Sequence, residues 1–185
     1  AFVAFLLARV LLGLFEGVCS GAADGYGRLK EKPALCLLHL GPGLANGVAN
    51  LHNAKRARTP LLNVIGEHAT WHLAANAPLA MDIECLCRTF SGWQRTVRSV
   101  ETIARDTADA IEAALRGQIA SLIVPCDLQW KEYRGKIPAV KSFTCNPPER
   151  RVIESAAKML KSTENTALIM NGRALRRRGL EGEVL

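Results

Sequence analysis

Apolar and polar positions along this chain keep two rhythms that take turns. Short unbroken apolar runs, "VLLGLF" (10–15), "ALCLLHL" (34–40), "PLLNVIGE" (60–67) and "IASLIVPC" (119–126), read as strands buried on both faces. Between them lie segments of helical character. "EGVCSGAADGYGRL" (16–29) is a helix of small residues, and another follows Gly43 to about Lys55. In "ETIARDTADAIEAALR" (101–116), Ile103, Ala104, Ala108, Ile111 and Leu115 share one stripe, with Ser99 as N-cap. Continuous strands separated by helices predict an α/β fold, a doubly wound parallel sheet with helices on both faces.

The texture changes at 131–148, "KEYRGKIPAVKSFTCNPP", which is charged, rich in proline and aperiodic, as a linker is. Beyond it, "ERRVIESAAKML" restores a helical stripe through Val152, Ile153, Ala156, Ala157 and Leu160. "TALIMNG" (166–172) reads as a strand, and an Arg-rich helix begins near Arg173. Expected domains are therefore 1–130, a linker at 131–148, and the start of a second α/β domain at 149–185.

Composition narrows the function. The 185 residues are 49% hydrophobic and 22% charged, enough for a core that needs no disulfide or metal staple. The net charge of +7 is scattered, and 5% aromatic content offers no stacking platform, so solvated basic faces are expected rather than nucleic-acid binding. Six cysteines follow no C-x-x-C spacing; they are expected to be reduced thiols in a cytoplasmic type of compartment, with Cys36 and Cys126 acting as small hydrophobes. The N-terminal "AFVAFLLARVLLGLF" is too short to span a membrane and carries Arg9 at its middle. No membrane partner is expected, and no metal is assigned to this chain's own residues.

The candidate chemistry gathers at the end of the second strand. Ligands in open parallel sheets collect beyond the carboxyl ends of strands, where Gly41-Pro42-Gly43 lies. Glycine is expected to supply positive φ and close approach there, and proline to fix the bend. Ala45, Gly47 and Ala49 keep the following helix slim. By itself the turn fits a ligand crevice and a bare strand-to-helix connection equally well.

Residues 14–67 together say more. Glu16 closes a strand and is followed by Ala22-Ala23-Asp24-Gly25-Tyr26-Gly27-Arg28, Lys32-Pro33, Gly41-Pro42-Gly43, Asn46 and Gly66. This pattern resembles the pyrimidine-binding domain of thiamine diphosphate (ThDP) enzymes, above all the acetolactate synthase large-subunit group. The resemblance extends more loosely over 68–130, and "ALIMNGRALRRRGL" looks like the opening of the family's central domain. It implies a pyrimidine-binding domain that lacks the family's first strand and helix.

The resemblance also implies roles. Glu16 would bond the pyrimidine N1′ and favour the imino tautomer, whose 4′-nitrogen takes the proton from the thiazolium C2. The resulting ylid attacks a 2-oxo acid and acts as its electron sink. Gly41, Pro42, Gly43 and Asn46 would lie beside the aminopyrimidine, near the two-fold interface of a homodimer or tetramer. Taken alone, Glu16 also suits a helix-end acid stabilised by the dipole.

This chain departs from the pattern in places. Gly27 replaces an alanine, a helix weakening of up to about 1 kcal/mol. His39-Leu40 replaces a Thr-Ser type pair, and Glu67-His68 stands where glutamine is usual. His68, four residues before His72, is a candidate for substrate-side proton transfer, or else a loop histidine at a polar strand exit. His52, mid-helix, is expected to be structural. The family's Gly-Asp-Gly, which with a later Asn holds Mg²⁺ and the diphosphate, does not occur. The chain is thus expected to supply half of a ThDP site, with Mg²⁺ held by another domain and FAD left open. The full-length protein is expected to form or break C–C bonds of 2-oxo acids. The alternatives are a non-catalytic α/β binding or regulatory module that keeps the fold and dimer surface, and a nucleotide- or phosphate-binding module.

Overall fold

A computed structural model of the chain describes residues 11–143 and 146–162, together with 165, 167 and 169. The chain divides into two compact units, Ala1–Phe143 and Thr144–Leu185.

The first unit is built on one parallel sheet. Its strands are β1 (Ala34–His39), β2 (Leu61–Glu67), β3 (Trp93–Thr96) and β4 (Ile119–Pro125), in the spatial order β1-β2-β4-β3. α1 (Glu16–Lys30) precedes β1, the crossovers carry α2 (Leu40–Arg56), a 3₁₀ turn at Leu73–Ala75, α3 (Ile83–Arg88) and α4 (Ile103–Leu115), and α5 (Cys126–Gln129) follows β4. Period-two alternation divides the strand residues between two faces. Cys36, Leu38, Leu61, Ile65, Ile119 and Ile123 meet α1, α2 and α3 through Ala23, Leu44, Leu51, Ala54, Ile83 and Cys87. On the opposite face Leu62, Ala120, Leu122 and Val124 meet α4 through Ala110, Ala113 and Ala114. Helices therefore cover both faces, as the continuous apolar strands predict. Leu35 and Leu37, on the second face of β1, stay exposed.

Four expectations need correction. Residues 11–15 form no strand, and Leu11, Leu12 and Leu14 are exposed. An apolar run becomes a strand only where a neighbour completes its ladder, and β1 pairs with β2 alone among the described residues. The helix after β1 begins at Leu40, so Gly41-Pro42-Gly43 forms its first turn rather than a separate turn ahead of it. Ser99 does not cap α4, whose N-cap is Thr102; the Ser99 hydroxyl binds Glu101 in the turn before it. Cys126 is exposed rather than packed, because the chain leaves the sheet at Pro125 and Cys126 opens α5. The short β3 and α3 arise where no periodic signal was read.

Of the second unit, α6 (Arg150–Leu160) is described. It agrees with its predicted stripe and carries an Arg150–Glu154 ion pair at 2.7 Å. The expected strand at 166–172 and the helix from Arg173 lie outside the described residues. Among the described residues no helix is long and apolar enough to cross a membrane.

Candidate functional site

The strands end toward α1 and α2, and those two helices frame the candidate site. Glu16 is the first residue of α1, where unpaired N–H groups favour an acid. Its own backbone N–H and the Asn46 amide hold its carboxyl below the ordinary 4.5, with help from nearby His39, against a weaker opposing effect of burial. Asn46 Nδ2 donates to Glu16 Oε2 at 3.0 Å.

The two helices are pinned together by side chains that reach across to backbone. Asn50 Nδ2 donates to the Gly17 carbonyl at 2.6 Å, and Ser20 Oγ donates to the Gly47 carbonyl at 3.1 Å. Small residues make room for this. A Cβ on Gly47 would touch Ser20 Oγ at 3.4 Å, and one on Gly43 would lie 3.3 Å from Glu16 Oε1 and 3.6 Å from His39 Cβ. Glu16, His39, Gly43 and Asn46 therefore form one cluster. Two turns further along α1, Asp24 is buried; it accepts from Thr59 Oγ1 at 2.6 Å and from Arg28 Nε and Nη2 at 2.9 and 2.6 Å. That acid anchors the helix to the loop before β2 and takes no part in the site.

The Gly-Pro-Gly segment works differently from expectation. None of its residues has positive φ; the strained position is Leu40, at φ 56° and buried. Such a conformation costs a branched side chain on the order of 1–3 kcal/mol. Gly41 is needed for space, because a Cβ there would collide with Met81. Pro42 sits in the first turn of α2, where its missing N–H costs nothing.

His68 stands elsewhere. Strand register pairs His39 with Gly66, and His68 lies two residues beyond that point. Its backbone N–H donates to Glu67 Oε1 at 2.7 Å, its ring meets His72 edge-on at 5.6 Å, and its buried Nε2 has no partner. The loop that carries it is tied down at Thr70, whose N–H and hydroxyl both donate to Asp127 at 2.9 Å. None of these contacts joins His68 to Glu16. His52 is exposed on α2. Among the described residues no group of three His, Cys, Asp or Glu side chains could hold a metal ion. Met81 is the member of this neighbourhood that motif reading missed, and His39 stands out in the motif only as a departure from the family pattern.

Residues 7–84 match the family model described as thiamine pyrophosphate enzyme, N-terminal TPP binding domain. A Mycobacterium tuberculosis protein assigned as an acetolactate synthase large subunit, IlvX, is 44% identical over 173 residues, which are 93% of this chain and 33% of that protein. Residues 7–84 thus carry the N-terminal domain of the thiamine diphosphate enzyme family. The mitochondrial acetolactate synthase of Schizosaccharomyces pombe is 27% identical over 80% of this chain and 23% of its own length. The benzoylformate decarboxylase of Pseudomonas aeruginosa is 31% identical over 57% of this chain and 20% of its own. The chain thus spans a third or less of the length of these curated relatives. A thiamin diphosphate-dependent enzyme of Mycobacterium smegmatis shares the fold at TM-score 0.71 over 82% of this chain and 30% of its own, with 23% identity.

The cluster fits the aminopyrimidine end of thiamine diphosphate. A carboxylate oxygen, an acceptor suited to a ring N–H, stands beside a bare α-carbon, where an added Cβ would press on it at 3.3 Å. Glu16 would meet the ring's N1′ edge, with Gly43 beside it.

Proposed function

We propose that the full-length protein is a thiamine diphosphate-dependent lyase or transferase of the acetolactate synthase-like group that acts on 2-oxo acids. The observation that carries this reading is the placement of Glu16. It heads α1, bonds Asn46 through one oxygen, and turns the other to Gly43. When bound, the cofactor supplies a nucleophilic carbon and an electron sink for a 2-oxo acid. Glu16 would hold the proton shared with the ring's N1′. His39, at the end of β1 beside Glu16, and His68, at the end of β2, are the groups available to move protons on the substrate side. Magnesium and the diphosphate are proposed to be held by another domain. Ala45 and Ala49, exposed on α2, suit a second subunit across a two-fold axis.

The test is Glu16→Gln in the full-length protein, which keeps the shape and removes the charge. Hydrogen–deuterium exchange at the cofactor's thiazolium C2 is expected to slow by about 10²–10⁴, the usual worth of one positioned proton-transfer group. The melting temperature should barely move. Exchange at the wild-type rate would leave Glu16 as a helix-end acid and defeat the proposal.

A further inference from the structure

Asn46 and Glu16 come from different helices, yet the contact between them is one of the few side-chain pairs that cross α1 and α2. We infer that Asn46 is a positioning residue for the Glu16 carboxylate rather than a direct ligand of the cofactor ring. This rests on the proposed role of Glu16.

The geometry supports the inference in three ways. First, Asn46 spends an amide N–H on Glu16 Oε2 at 3.0 Å, so that oxygen is fixed and Oε1 faces Gly43. A glutamate has three rotatable side-chain bonds, and a single amide clamp on one oxygen removes most of that freedom. Second, the clamp has a rigid base. Asn46 and Asn50 are one turn apart on α2, and Asn50 bonds the Gly17 carbonyl at 2.6 Å, the residue next to Glu16. Ser20 completes the strap on the Gly47 carbonyl. A residue at 46 is therefore held at a fixed distance from the head of α1. Third, Gly43 lies one turn before Gly47 on the same ridge, and its missing side chain leaves Oε1 approachable. The Asn46 amide also favours the ionised carboxylate, in the same direction as the N–H at the helix end.

The experiment compares the full-length wild type with Asn46→Ala, Asn46→Asp and Glu16→Gln. Asn46 is exposed, so folding is expected to survive, and melting temperature checks this. The first readout needs no cofactor: the Glu16 carboxyl is titrated by carbon-13 NMR. Its pKa is expected to rise in Asn46→Ala and to rise further in Asn46→Asp, which keeps the shape but replaces a donor with a like charge. His39, the other titratable group facing Glu16, is unchanged throughout. The second readout is C2 exchange with thiamine diphosphate and Mg²⁺, expected to slow roughly tenfold in Asn46→Ala, the low end for a hydrogen bond to a charged group. A Glu16 pKa unmoved by Asn46→Ala overturns the inference whatever the exchange rate. A moved pKa with wild-type exchange in Asn46→Ala, but slow exchange in Glu16→Gln, also overturns it, since the contact would then position nothing. Wild-type exchange in Glu16→Gln is a separate failure. It removes the proposed role of Glu16, and the positioning role falls with it.

Discussion

The two faces of the sheet are held by different physics. On the α4 face, Ala110, Ala113 and Ala114 lie against Leu62, Ala120, Leu122 and Val124, and Arg95 of β3 adds an ionic clamp on Asp106 and Asp109 of α4 at 2.7 and 2.6 Å. On the opposite face, α1 and α2 are joined by amide and hydroxyl bonds to backbone carbonyls, and glycines set how close they come. Asn63 and Ser121, both fully buried, add polar atoms beneath the same helices. Stability on the first face of this comparison comes mainly from area removed from water, with the Arg95 ion pairs confined to its β3 edge. On the second it comes from bonds that hold named atoms at fixed distances. The site lies on the face where position matters more than area.

The largest expected effect is on the apolar face. Leu122 is buried on β4, and Leu122→Ala should cost about 2–5 kcal/mol, measured by the urea midpoint. A loss below 1 kcal/mol would mean that the α4 layer collapses into the gap and is packed less tightly than it looks.

Gly27 sharpens the contrast. Helix propensity alone says that restoring the family's alanine should gain up to about 1 kcal/mol. The packing says the opposite. A Cβ at 27 would meet Thr59 Cγ2 at 2.5 Å and the Pro60 carbonyl at 2.7 Å, and a backbone carbonyl cannot rotate away. Gly27→Ala is expected to cost about 1–3 kcal/mol as overpacking. A higher melting temperature in that variant would show that the α1 end is free to shift and that the close approach is incidental.

Legibility from sequence followed the same division. The stripe of α4 and the runs of β1, β2 and β4 were readable because periodicity reports burial, and burial is what that kind of packing needs. β3, "WQRT", was not readable: it is four residues long, half-buried at every position, and has no apolar run. α3 has six residues, too few for a period to show. The mechanism of the Gly-Pro-Gly segment is not legible, since rules that seek glycine at positive φ look past Leu40. Glu16, Gly43 and Asn46 were reached through a resemblance of motifs, because nothing in their spacing alone distinguishes a site from a tight connection. His39 was legible only as a departure from that pattern, because its nearness to Glu16 depends on how β1 and α1 pack.

The smallest expected effect concerns the thiols on the face that carries the site. Burial pushes the Cys36 thiol up to about 12 and the Cys87 thiol up to about 11, from an ordinary 9.0. Cys85, two residues from Cys87 on α3, is exposed, as is Cys126. A thiol reagent acts on the thiolate, so in the native protein Cys85 and Cys126 should label first, with Cys36 and Cys87 protected until unfolding. The same shifts bear on stability. The native state holds these two protons more tightly than the unfolded chain does. Their contribution is therefore fully present below pH 9 and is lost as pH rises from 9 toward 11–12. Lysines and tyrosines titrate in the same window, so the comparison must be made within the protein. Urea midpoints at pH 8 and pH 10 should fall further in the wild type than in a Cys36→Ala/Cys87→Ala variant. Equal falls would mean that water reaches both thiols, and that the face beneath α1, α2 and α3 is more open than its buried side chains imply.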